Sequence, residues 1–354
     1  MALSWVLAGV SSFYSVPKIS YIDFHVLGVL FCLMLVVAGF KKLKVLDYLA
    51  VRILSLCDSL RGVTAALVGL AFFSSMLVTN DVALLTFVPL ALVVGRQLHV
   101  DVAKIVILQT LAANLGSSLT PMGNPQNLFI YAHYKLAALP FLSTMAPLAA
   151  ISFVWLAWLV FMERGQALKV EMSEVELGNR RILYIYAFVF LVCLLAVFRF
   201  LDYRLALLIT IMSIFASDRS IFLRVDYSLL ITFCGFFIFI GNISSLSFVS
   251  QLQTGLMDDP TGIYWLGIIT SQFVSNVPAT MLLAGLTSQA KALLLGVDVG
   301  GLGTLIASMA SVISYKLYLE ANPTQGRNYL MQFLYYNLMG LLLLAPLIYY
   351  LLIY

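Results

Sequence analysis

The chain has 354 residues, of which 62% are hydrophobic and only 10% charged, with a mean hydropathy of +1.02. A soluble domain averages about a quarter charged residues, so a soluble globular fold is excluded and a polytopic membrane protein is expected. The formal net charge of +4 comes without any dense basic run, which excludes a phosphate-tracking nucleic-acid surface.

Taken in order, residues 2–16 read as a retained first helix, not a signal peptide, because no basic stretch precedes them and no convincing cleavage site follows. Its apolar part, residues 3–16, stops at Pro17 and is short for a full crossing. A second helix is expected over 24–40, closed by Lys41, Lys42 and Lys44. Residues 45–61 mix Asp47, Arg52 and Asp58 with Leu, Val and Ile, a pattern that suits an amphipathic helix at the interface.

Two apolar runs, 62–78 and 82–94, then flank Thr79, Asn80 and Asp81. At about 17 and 13 residues they are short for two spans, so they predict a re-entrant hairpin (62–95) with its polar tip inside the protein. The next apolar stretch, 102–134, is interrupted between Gly116 and Asn127 by Gly, Pro and Asn residues, which predicts two half-helices joined by an unwound loop. A full span follows over 139–162. Residues 163–181, with Glu171, Glu174, Glu176, Arg164, Lys169, Arg180 and Arg181, form the longest polar segment and read as a cytoplasmic linker.

After the linker the pattern recurs. Helices are expected at 182–198, 205–216 and 227–243, with a second interfacial segment at 244–257. A second hairpin (262–290) carries Ser275 and Asn276 at its tip. A second broken helix (292–319) is interrupted around Gly300–Thr304, and a last span covers 329–354. The halves align at Asp23–Phe24 with Asp226–Tyr227 and at Thr79–Asn80 with Ser275–Asn276. Gly116, Thr120, Asn124, Asn127 and Tyr131 align, at one constant offset, with Gly300, Thr304, Ser308, Ser311 and Tyr315.

The expected organisation is therefore a repeat over 1–162, the linker, and a second repeat over 182–354. Most Lys and Arg clusters fall on one side of this arrangement, which the positive-inside rule makes cytoplasmic, along with the N-terminus. The two hairpins then enter from opposite sides, so the repeats are inverted. Interrupted helices at matching places in inverted repeats point to the midplane binding site of a secondary transporter.

At these residues the chain resembles the ion transporter superfamily, which includes divalent-anion/sodium symporters, citrate transporters, arsenite permeases and a branch of sodium/proton antiporters. The carboxylate symporters carry Ser-Asn-Thr at each hairpin tip; here the tips read Thr79-Asn80-Asp81 and Ser275-Asn276-Val277. Neither keeps the third Thr, and Asp81 is closer to the arsenite-permease pattern. The first break reads Thr120-Pro-Met-Gly-Asn-Pro-Gln-Asn127, whereas the second, Thr304 to Ser311, lacks the Pro-Asn pair.

The resemblance implies an all-α fold of two inverted repeats in the inner membrane, working as a homodimer by an elevator movement. It implies a small anionic solute such as a di- or tricarboxylate, with sodium or protons as the coupling ion and no cofactor. Candidate cation ligands are Thr79, Asn80, Asp81, Gly116 and Thr120 in the first half, and Ser275, Asn276, Gly300 and Thr304 in the second. Half-helix ends offer free carbonyls to a cation and free N–H groups to an anion.

Asn80, Asn124, Asn127, Asn276, Thr280 and Ser308 are candidate substrate contacts; the plain alternative is that such side chains only cap helix breaks. Asp81 reads either as a coupling carboxylate or as a helix cap, and Asp298, just before the second break, is ambiguous, with capping of the glycine turn as its plain reading. His25, His99 and His133, and the four isolated cysteines, read as packing or interfacial residues. A cation/proton antiporter and an arsenite or oxyanion efflux permease are the alternatives on this scaffold. No zinc-protease, nucleophile-elbow or paired-aspartate motif supports an enzyme.

Overall fold

The structure, a computed structural model, describes residues 2–98, 100–163, 165, 174–244 and 259–354. His99, residues 164 and 166–173 of the polar linker, residues 245–257 of the second interfacial segment and residue 258 lie outside the described residues. Every long element among the described residues is helical. Among the described residues, six helices are long and apolar enough, by length and composition, to cross a bilayer.

Helix starts follow capping chemistry. α1 (Ala2–Ser12) ends four residues earlier than the apolar pattern suggests. α2 (Phe24–Lys42) is capped by Asp23, which accepts from the His25 and Val26 N–H groups. The expected interfacial segment is α3 (Val45–Leu54), and Ser59 caps the next helix by accepting from Gly62.

The first hairpin corrects the expected lengths. Its arms are α4 (Leu60–Val78) and α5 (Asn80–Leu98), each of 19 residues, or about 28 Å at 1.5 Å per residue. Arg61 and Arg96 extend the arms beyond the apolar runs, and Pro89 is accommodated inside α5. The first broken helix is α6 (Ala103–Ser117) and α7 (Pro125–His133), with Asn124 as cap and Pro125 at the first helical position, where its missing N–H costs nothing.

α8 (Ala138–Phe161), α9 (Arg180–Val197), α10 (Tyr203–Ser217) and α11 (Tyr227–Ser244) follow. The second hairpin is α12 (Pro260–Val274) and α13 (Asn276–Ala284). The second broken helix is α14 (Ala290–Val299) and α15 (Met309–Ala321), and α16 (Gly326–Ile348) closes the chain with a terminal π turn.

α2, α9 and α10 pack on one another, while α4 packs along α6 and α12 along α14. These last contacts are backbone-close. A Cβ on Gly116 would stand 2.2 Å from the Phe72 carbonyl oxygen, and one on Gly300 would stand 2.9 Å from the Ile268 Cα. Small residues let helices meet where hydrocarbon supplies no hydrophobic drive between them. Large apolar side chains such as Trp158, Phe161, Phe188 and Phe215 face outward, as a lipid-facing surface requires.

Gly116→Ala pushes a methyl into the α4 backbone and is expected to cost about 1–3 kcal/mol. Gly69→Ala, in the same α4 where nothing lies within 4 Å, is expected to be neutral or to stabilise by up to about 1 kcal/mol. Thermal melting of the two purified variants checks the contrast.

Candidate functional site

Both hairpins turn on a single residue held in the same unusual backbone conformation. Thr79 has φ 80° and ψ 150°, and Ser275 has φ 75° and ψ 152°. This region is essentially reserved for glycine and costs of order 1–3 kcal/mol for other residues. The conformation lets α4 end and α5 begin within one residue, and does the same for α12 and α13. The packed helix breaks keep both turns in place.

At the first tip, Asn80 N–H donates to the Gly123 carbonyl at 3.1 Å, and the Thr120 hydroxyl donates to the Met76 carbonyl. At the second, the Thr304 hydroxyl donates to the Gln272 carbonyl at 3.0 Å. The two contacts involve equivalent positions, since Met76 and Gln272 each stand three residues before the turn.

The breaks also hold each other. Asn114, on α6, accepts at Oδ1 from Ser308 Oγ (3.0 Å) and Asn80 Nδ2 (3.1 Å), while its Nδ2 approaches Ser311 Oγ at 3.4 Å. Asp298, at the equivalent place on α14, accepts at Oδ1 from Asn124 Nδ2 and Gln126 Nε2, both at 3.2 Å. Its Oδ2 is buried and has no hydrogen-bond donor among the described residues. Asn127 donates to the Ser118 carbonyl at 2.9 Å, and its own Oδ1 is likewise buried without a donor. Two buried oxygens, one a carboxylate's, thus lack a donor on the same pair of breaks.

A cavity of about 450 Å³ opens against the first tip. Thr79, Asp81 and Asn124 form its polar inner end beside Pro125, and the starts of α5 and α7 face it. Its walls are mainly apolar, and Lys41, Arg224 and Asp226 line its outer part, where all three are exposed. The Asp81 carboxylate forms no ion pair and accepts no side-chain hydrogen bond among the described residues, although its own N–H is held by Asn80 Oδ1 at 2.9 Å.

A family model described as "Citrate transporter" matches residues 1–313. The chain belongs to the citrate transporter family. It is 34% identical over 302 residues to an uncharacterized transporter of Methanocaldococcus jannaschii, covering 84% of this chain and 82% of that protein. It is also 30% identical over 327 residues to the inner membrane protein YbiR of Escherichia coli, covering 88% and 86%. Among solved structures, the YdaH transporter of Alcanivorax borkumensis matches with a TM-score of 0.55 over 98% of this chain and 95% of that one, at 13% identity. The protein is therefore a multi-pass membrane transporter and not an enzyme.

Among the residues singled out from sequence, Thr79, Asn80 and Thr120 meet around the first tip, Gly116 packs against the Phe72 backbone seven residues before it, and Asp81 and Asn124 line the cavity with Thr79. Ser275, Gly300 and Thr304 gather around the second tip, where Asn276 lies against Gly301. Ser308 belongs to the Asn114 network. Thr280 is buried one turn into α13 and donates back to the Asn276 carbonyl at 2.8 Å; it does not line the cavity.

Asn114, Gln126, Gln272, Lys41 and Arg224 were not anticipated as site residues. Asn114 could have been found, because the offset that aligns the two breaks pairs it with Asp298.

Asn114→Ala strips the acceptor from Asn80 and Ser308 at a buried position. It is expected to cost about 1–3 kcal/mol, more than Ser308→Ala, which removes one donor and leaves Asn114 bonded to Asn80. Denaturation of the two purified proteins distinguishes them.

Proposed function

We propose that this member of the citrate transporter family is a secondary active transporter. It moves a small anion, a di- or tricarboxylate or similar, across the inner membrane, coupled to sodium or protons. The observation that carries the reading is the cavity whose inner end joins the strained first tip to the starts of α5 and α7. The positive dipole ends at the starts of α5 and α7 favour an anionic group without a buried arginine. Lys41 and Arg224 at the outer part supply a positive approach.

The paired contacts at the two tips and two breaks support two repeats, 1–162 and 182–354, of inverted topology about the linker at 163–181. On this reading the hairpins (62–95 and 262–290) and broken helices (102–134 and 292–319) form the moving unit of an elevator, within a homodimer. Thr79, Asn80, Asp81, Gly116 and Thr120 would face the coupling ion, and Asn80, Asn124 and Asn127 the substrate. An ionised carboxylate at such depth needs a counter-charge, which makes Asp81 the coupling group, with Asp298 a second buried acid behind it.

One observation favours a second reading. Asp81 faces the cavity without a basic partner within the described residues, as a cation/proton antiporter would require.

Proteoliposomes loaded with sodium or pH gradients and offered citrate, succinate, sulfate or arsenite separate the readings. Gradient-driven uptake of a labelled carboxylate is expected. Sodium-driven proton movement with no anion present would instead establish the antiporter.

In the same assay Asp81→Asn is expected to lower gradient-driven uptake by about tenfold or more, the effect of losing about 1.4 kcal/mol, while expression is kept. Unaltered sodium and pH dependence in that variant would remove Asp81 from the coupling role.

A further inference from the structure

The second tip contains a side chain that the first lacks. Gln272 Nε2 donates to the carbonyls of Gly300 (2.9 Å), Leu302 (2.9 Å) and Ile268 (3.2 Å), and its Oε1 accepts from the Thr304 N–H at 2.9 Å. The surroundings fix which end is which, since a flipped amide would set Oε1 against three carbonyl oxygens. The amide group therefore sits where three backbone oxygens converge beside the turn at Ser275. Converging carbonyls at the end of a half-helix are the arrangement that otherwise coordinates a small cation.

Room has been made for this side chain. Gly303 has φ +103°, and a Cβ there would lie 2.3 Å from Gln272 Oε1; the equivalent position in the first break is Leu119. In the first half the residue equivalent to Gln272 is Met76, whose thioether has no N–H to give. There the Ser118 carbonyl, equivalent to that of Leu302, takes its hydrogen bond from Asn127 instead, and the Gly116 carbonyl takes the Leu119 N–H at 3.2 Å. The first tip gives the break a backbone N–H, from Asn80 to the Gly123 carbonyl at 3.1 Å, but no side-chain amide at the position equivalent to Gln272.

We infer that the Gln272 amide replaces a cation in the second half, so that the carbonyls of the second break bind no ion and coupling rests on the first half alone. This rests on the reading of the two tips as equivalent ion-facing positions. It goes further in fixing the asymmetry: at most one cation bound per chain at the two tips, on the side that carries Asp81.

The test uses the purified full-length protein and reads ion binding, not transport, so its failure is separable from failure of the transporter reading. Melting is followed in sodium chloride against choline chloride at equal ionic strength. Gln272→Glu keeps the shape but turns the donor into an anionic acceptor facing three carbonyls, a site that needs a cation. It is expected to gain a sodium-dependent rise in melting temperature of about 2 °C or more beyond the wild-type response.

Gln272→Met, which copies the first half, is expected to melt lower than wild type in choline and to recover part of the loss in sodium. A sodium response in both variants equal to that of the wild type would overturn the inference. The wild-type protein supplies an independent check, which holds even if neither variant folds. A sodium titration that follows a single-site curve, or shows no binding, agrees with the inference; one with two sites or a Hill coefficient above one overturns it.

Discussion

A helix that stops where it is packed away from water leaves N–H and C=O groups that only the protein can satisfy. This chain stops helices at two hairpin tips and two breaks, and the rest of the structure follows from meeting that demand. Met76, Gln272 and Gly123 offer carbonyls to the opposing segment, Thr120 and Thr304 supply hydroxyls, and Asn114 and Asn127 bind across. Gly116 and Gly300 bring the backbones close enough for these bonds to form. The strain at Thr79 and Ser275 is held by the same contacts.

The two halves meet this demand in parallel but not identically. Asn114 stands where Asp298 stands in the other half, and Met76 where Gln272 stands. The neutral Asn114 has donors for its carbonyl oxygen and an acceptor for its amide, whereas the carboxylate of Asp298 keeps one oxygen without a donor. The first tip has Asp81 beside an accessible cavity; the second has Val277 and an amide inserted among its carbonyls. Charge is thus unevenly distributed over a framework of matched backbone geometry. Such differences can set ion and substrate preference without altering the fold, because they leave the helix ends where they are.

Membership of the citrate transporter family agrees with the scaffold but leaves the cargo to be read from the site. The cavity is mainly apolar, with helix starts and one carboxylate at its inner end and Lys41, Arg224 and Asp226 further out. A small anion meeting the positive dipole ends of α5 and α7 is compatible with that lining.

Much of this was determined by the sequence alone. Apolar run lengths located the spans, and Gly and Pro located the breaks, because those residues disrupt helices whatever surrounds them. Asp23, Asn124 and Asp226 marked helix starts through local capping chemistry. The matched tips and breaks were legible as spacing.

Other features only the tertiary structure decided. The full length of α4 and α5 was hidden because Arg61 and Arg96 lie outside the apolar runs while packing sustained the helices. Asn114 and Gln272 looked like ordinary polar residues within helices. Their roles depend on carbonyls and side chains brought beside them from distant segments, Ser308 and Asn80 in one case and Gly300 and Leu302 in the other. Spacing along a chain can show that a helix must break. Which side chain satisfies the broken end depends on what folding places opposite it.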